Sequence, residues 1–411
     1  MTAASDLAAP HDAAPATNAA DARRTLVAAG VNHALHDGYT DLIYVLLPVW
    51  QAEFALGYAA LALLRTLYSG TLAALQMPAT ALARRLGART VLVLGTGVSA
   101  GGYALAGASG GLAGLCAALA LAGAGSGTQH PLASSVIARA YGPGARGPLG
   151  TYNFAGDLGK ASVPPLVGLL LTLTDWRTAL WAVAGLGLLV AIGLARALPP
   201  DPAPRRMPAE ALARTARRGA DPGRAGFALL VAIGMLDNAA RPAFLLYLPF
   251  LLQAKGAALT TVGLALSLVF VGGALGKAVC GRLGARLGTV RTVILTEAGT
   301  ALAIPAVILL PLAPALVLLP ALGLMLNGTS SVLYGTVPEL APGGRVERAF
   351  AVFYTFTLGG SALASPLVYG RLGDLVGPAP AAMAAAVTAL AVVPLALALA
   401  PHLRTAAIPG A

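Results

Sequence analysis

The feature that most constrains this chain is a run of about 20 apolar residues, bounded by charges or turn residues and repeated about twelve times. Each run is long enough to cross ~30 Å of hydrocarbon. A lipid-exposed backbone can satisfy its polar groups there only in helices or a closed barrel. Ala- and Leu-rich runs do not alternate as barrel strands do, so helices are the reading. Only 10% of the 411 residues are charged, against roughly a quarter in a soluble domain. The predicted spans are 26–50, 59–82, 90–108, 112–137, 148–173 and 178–197, then 226–252, 260–284, 291–311, 315–337, 349–371 and 379–399.

A formal charge of +11 invites a nucleic-acid partner, but the positions of the charges exclude it. Of 27 Lys and Arg, 20 fall in segments on one side, including Arg84, Arg85, Arg89, Arg282, Arg286, Arg291 and Arg404. Only Arg177, Lys255 and Arg371 fall on the other. The positive-inside rule then places both termini in the cytoplasm. Residues 1–25 read as a disordered tail, 198–225 as a Pro- and Arg-rich cytoplasmic linker and 400–411 as a second tail. The linker separates a bundle at 26–197 from another at 226–399. Cys116 and Cys280 lie far apart inside apolar segments and read as buried small residues.

The two bundles repeat. Gly127-Thr128 matches Gly328-Thr329, Leu47-Pro48 matches Leu248-Pro249, and Arg85-Leu86-Gly87 matches Arg286-Leu287-Gly288, each at an offset of 201. Tyr152, Phe154 and Pro164 match Tyr354, Phe356 and Pro366 at 202. One near-constant offset across four helix pairs indicates parallel repeats about an axis normal to the membrane.

The loop Arg84-Arg85-Leu86-Gly87-Ala88-Arg89 and its partner Arg282-Leu283-Gly284-Ala285-Arg286-Leu287-Gly288 resemble the basic loop of the major facilitator superfamily, with Arg84 and Ala285 where an aspartate is usual. Within it, Asn32-His33-Ala34-Leu35-His36-Asp37, Leu46-Leu47-Pro48, Gln51-Ala52-Glu53-Phe54 and Gly125-Ser126-Gly127-Thr128-Gln129-His130-Pro131 resemble the fosmidomycin-resistance type of drug exporter. Leu132 departs from it where an acid is usual. The resemblance implies an all-α polytopic protein of two pseudo-symmetric six-helix bundles, with first, fourth, seventh and tenth spans lining a central cavity. It assigns gating to Arg85, Arg89, Arg286 and Arg291.

Charges at membrane depth are costly and need a partner or a wet cavity. His33, Asp37 and Asp41 recur every four residues, with Tyr44 near the same face. Asp37 reads either as a proton-coupling group or as half of a structural ion pair. Arg65 lies at a depth suited to neutralising Asp41. His130 precedes a helix-breaking proline and has a titration range suited to proton coupling. Asp157 and Lys160 are spaced to pair on one helix beside Tyr152 and Asn153, as are Asp237 and Arg241 beside Asn238. Asn327 and Tyr334 offer neutral polar groups, and Glu297 could partner Arg286 or Arg291. His33, His36 and His130 have no thiolate beside them, so no metal is assigned.

No phosphate-binding glycine loop, catalytic carboxylate pair or nucleophile elbow is present, so neither enzymatic activity nor a cofactor is assigned and an ion gradient should supply the energy. These features predict a monomeric secondary transporter of a bacterial inner membrane, working by alternating access. Its partners would be protons, lipid and a small drug-like anion or zwitterion driven outward. The alternative is proton-symport import of a small organic anion or other metabolite.

Overall fold

The computed structural model describes residues 18–200 and 224–406. Most of the expected linker and the expected N-terminal tail up to residue 17 lie outside these residues. The helices are α1 (Ala19–Phe54), α2 (Tyr58–Leu86), α3 (Ala88–Gly107), α4 (Leu112–Ser126), α5 (Gln129–Tyr141), α6 (Arg146–Leu173) and α7 (Trp176–Ala197). After the linker come α8 (Arg224–Ala254), α9 (Leu259–Leu287), α10 (Thr289–Leu309), α11 (Leu312–Thr336), α12 (Val346–Ala364), α13 (Arg371–Val376) and α14 (Pro378–Ala406). A wide helical turn, Ser365–Gly370, joins α12 to α13.

α4 and α5 form one broken rod, as do α12 and α13, giving twelve rods among the described residues. The break after Ser126 has a local cause. Pro131 has no N–H to offer Gly127 one turn back, and Thr128 Oγ1 instead donates to Gly125 O at 2.9 Å. Pro366 sits in the wide turn of the other half. Two tail expectations are corrected. Asn18 caps α1 through Ala20 N, so the helix starts at Ala19, and α14 runs on to Ala406.

The repeat seen in sequence is a repeat of packing. In the first half α1 lies along α6, α3 along α7, α3 on α4 and α2 on α4. In the second α8 lies on α12, α10 on α14, α10 on α11 and α9 on α11. Contact is closest where glycines remove a side chain. A Cβ on Gly159 would stand 2.0 Å from Ala34 O across α1–α6, and one on Gly272 2.0 Å from Pro320 O across α9–α11.

Among the described residues the halves share an apolar core at one end. One apolar core, including Tyr39, Trp50, Leu61, Tyr247, Leu266 and Leu322, is continuous across both halves. Towards the Arg-rich end it divides into two, one around Val91, Ile137 and Tyr152 and the other around Phe227, Leu333 and Phe353. At the joined end Asp374 of α13 caps the N-terminus of α2, accepting from Tyr58 N at 2.5 Å and Ala59 N at 3.3 Å. Tyr58 also packs edge-on against Tyr247 and Phe250 of the other half, with centroids 5.5 and 5.1 Å away. Ser267 donates to Ala161 O across α9–α6. The same end carries Asp175, which caps α7; bonds from Thr178 and Arg177 hold its carboxyl below the usual range.

Candidate functional site

The polar residues of α1 point into the seam with α6, where Gly156 and Gly159 let the helices approach closely. Asp37 is the hub. Its Oδ2 lies 3.3 Å from Lys160 Nζ of α6 and 3.3 Å from His33 Nε2, and its Oδ1 lies 3.8 Å from His130 Nε2 of α5. His33 is fixed from behind. Its Nδ1 contacts Tyr152 O at 2.8 Å and its ring stacks on Tyr152 with centroids 4.2 Å apart. Gln129 Nε2 donates to Tyr152 Oη at 2.7 Å. One turn along α1, Asp41 Oδ1 sits 3.6 Å from Arg65 Nη2, and the Arg65 guanidinium lies over the Tyr44 ring at 5.0 Å.

These pairs correct two sequence expectations. Lys160 does not pair with Asp157 on its own helix. It crosses to Asp37, while Asp157 takes Lys277 Nζ of α9 at 2.6 Å. Spacing on one helix permits a pair, but the close α1–α6 seam puts a better-buried carboxylate nearer Lys160. Arg241 likewise makes no ion pair with Asp237 within 4 Å, but donates to Asn327 Oδ1 at 3.1 Å and Asn238 Oδ1 at 3.2 Å. Asp237 is turned into the bundle, towards Glu297 of α10. Glu297 is buried and faces that acid, not the exposed Arg286 or Arg291 that sequence suggests as its partner.

Arg65 and Lys160 of the first half and Arg241 of the second all act electrostatically on Asp41. Among the other sequence candidates, Tyr334 stacks on Tyr354 at 5.0 Å, and Asn153 is exposed on α6 outside the cluster. Arg85, Arg286 and Arg291 are exposed, and Arg89 Nη2 donates to Ala195 O of its own half. The three histidines do not assemble as a metal set. His36 turns away to Ser126 Oγ (2.8 Å) and Thr96 Oγ1 (3.1 Å). His33, Asp37 and His130 do bring ligand atoms within 4.8 Å of one another, but the Lys160 ammonium already occupies the carboxylate a cation would need.

Sequence reasoning missed Asp374, which stands in no repeat position and follows no motif. It also missed Lys277 as the partner of Asp157.

Twelve rods in two equivalent halves, with one apolar core continuous between them, define a multi-pass helical membrane protein of the two-bundle type. The sequence matches the family model of the Major Facilitator Superfamily over residues 31–356, and the chain belongs to that family. Its fold is similar to that of a bacterial homologue of the human lysosomal transporter Spinster in an inward-facing, unoccupied conformation, with a TM-score of 0.76 at 14% identity, over 96% of this chain and 100% of that one. It is similar to the nucleoside transporter NupG, with a TM-score of 0.75 at 13% identity, over 93% and 99% of the two chains. It also resembles the peptide transporter POT in complex with sulfate, with a TM-score of 0.71 at 15% identity, over 93% and 95%. Comparison with curated proteins gives no match.

Proposed function

We propose that this protein is a proton-coupled secondary transporter of a small organic anion, and that the anion and Asp37 compete for Lys160. The observation that carries this reading is the Asp37–Lys160 pair at 3.3 Å, set in the α1–α6 seam of the first bundle and flanked by His33 and His130. An anion bound to Lys160 leaves Asp37 uncompensated in a poorly solvated place. A carboxyl group there is far cheaper to bury protonated than charged. Binding of the anion therefore favours uptake of a proton, with His130 placed to relay it. Arg65, Arg241 and Asn327 would complete the grip on the cargo, and Tyr44, Tyr152, Asn238 and Tyr334 would shape its walls. Asp41 would remain tied to Arg65.

Under this exchange anion and proton travel together, which favours symport and hence import down the inward proton gradient. The second reading is efflux by proton antiport. It is favoured by the likeness of Asn32–Asp37 and Gly125–Pro131 to the fosmidomycin-resistance type of exporter. In either case the Arg-rich open end faces the cytoplasm of a bacterial inner membrane, and the halves rock about the Tyr58–Asp374 end. Arg85, Arg89, Arg286 and Arg291 would meet across the cleft when it closes.

Proteoliposomes separate the readings. With labelled organic anions presented outside, symport predicts accumulation driven by an acidic exterior, whereas antiport predicts accumulation driven by an acidic interior. Asp37→Asn should abolish the pH-driven component and spare exchange of bound substrate. Accumulation by Asp37→Asn equal to wild type would remove Asp37 from the coupling, leaving His130 and Asp157 as the next groups to test.

A further inference from the structure

The internal repeat exposes a second protonatable element. His36 of α1 and Asp237 of α8 occupy the same position at the offset of 201, as do Thr96 of α3 and Glu297 of α10. In the first half this position is a neutral crosslink. His36 Nε2 lies 3.1 Å from Thr96 Oγ1 while Nδ1 lies 2.8 Å from Ser126 Oγ, and the group stays buried with both ring nitrogens satisfied. In the second half the crosslink is made by two carboxyl groups. Asp237 and Glu297 are both buried and their carboxyl groups face each other, and beside them Thr329, the repeat mate of Thr128, donates to Thr296 Oγ1 at 2.8 Å.

Two bare carboxylates buried face to face repel and have no proton to share, so such a pair is cheap to bury only when one member is protonated. The behaviour of Arg241 agrees. It lies one turn from Asp237, yet its guanidinium is spent on the neutral side-chain oxygens of Asn327 and Asn238. A bare carboxylate would be the stronger partner for that fork. Among the described residues no other cation acts on the pair. Asp237 is acted on by Arg241 from its own helix and by Glu297 from α10, and Thr329 and Tyr334 approach from α11. Among the described residues α12 and α14 add no charged group to those acting on the two acids.

We propose that Asp237 and Glu297 form a second proton-binding site, in which the two carboxyl groups hold one proton between them and its release draws Arg241 off Asn327. On release the O–H bond breaks, the proton leaves to water in the cleft, and the bonding pair stays on the carboxylate. Arg241 then swings from the central cluster to the ionised pair. A proton bound in the second half thereby keeps Arg241 available to cargo, through groups that touch neither Asp37 nor Lys160. The site stands whether or not Asp37 couples transport.

Infrared spectroscopy of the full chain in lipid nanodiscs reads this without a substrate. At neutral pH the wild type should show the carbonyl stretch of a protonated carboxylic acid that the isosteric Asp237→Asn, Glu297→Gln double variant lacks. Where the double variant does not fold, Glu297→Gln alone should lose the band, because Asp237 can then accept from the new amide and from Arg241. Raising the pH should remove the wild-type band. Arg241→Gln should move that loss upward by about one to three pH units, since a nearby cation favours the ionised form. An identical acid band in wild type and variants, or none in the wild type, overturns the shared proton. A midpoint that ignores Arg241→Gln overturns the link to Arg241.

Discussion

Removing either member of the Asp37–Lys160 pair tests whether the cluster is coupled as the geometry requires. At 3.3 Å the attraction between the two charges is about 5 kcal/mol with an effective dielectric of about 20. Desolvation takes back much of this, and breaking a fully buried pair by losing one partner costs about 3–5 kcal/mol. The Lys160 side chain is 30% exposed and that of Asp37 10%, so water screens part of the loss. Each of Asp37→Asn and Lys160→Gln should therefore destabilise the protein by about 1–3 kcal/mol, and the double variant by about 1–2 kcal/mol less than the sum. Reversible unfolding in detergent measures all four corners of the cycle. Single losses that add within about 0.5 kcal/mol would refute the coupling.

Two further perturbations follow from close approaches. A Cβ on Gly159 meets backbone, Ala34 O at 2.0 Å, whereas one on Gly156 meets only side-chain ends, Asp37 Oδ2 and His33 Nε2, both at 2.6 Å. Gly159→Ala should thus lower stability by about 1–3 kcal/mol in thermal unfolding, and Gly156→Ala should keep the fold but lose transport in proteoliposomes. At the joined end, Asp374→Asn removes a carboxylate from the N-terminus of α2, a loss of about 1 kcal/mol favouring the state in which that end is open. A cysteine replacing the buried Val262 should then react with an impermeant thiol reagent about fivefold faster, and an unchanged rate would exclude Asp374 as a latch.

The rods are legible in the sequence because the bilayer imposes a length and forbids open backbone, so apolar runs and their breaks determine them almost alone. The bundle pairing is legible through the repeat, since equal offsets place equal faces together. What cannot be read is which charge meets which. Spacing on one helix suggests Asp157–Lys160 and Asp237–Arg241, because sequence reports neighbours along a helix directly and neighbours across a seam only indirectly. The seam decides, and it is set by Gly159 against Ala34, a contact whose closeness shows only in three dimensions. The repeat does hold a usable signal for Glu297. Mapping His36 and Thr96 by 201 residues lands on two acids, so the primary sequence alone marks the pair.

Hydropathy carries a sharper signal than the number of spans. Among the described residues ten helices are long and apolar enough to cross a membrane, and α1 and α6 are not among them. Both are long enough, at 36 and 28 residues, so polarity and not length is what sets them apart. They are also the two helices that hold His33, Asp37, Asp41, Tyr152 and Lys160 and that pack along one another. A rod this polar is stable in the bundle only if its charges face a partner rod or water, never lipid. With two such rods in one half, the least costly arrangement puts their polar faces together, as the Asp37–Lys160 seam does. The two spans of lowest hydropathy are therefore the two whose polar faces meet, and the shortfall in hydropathy marks that seam.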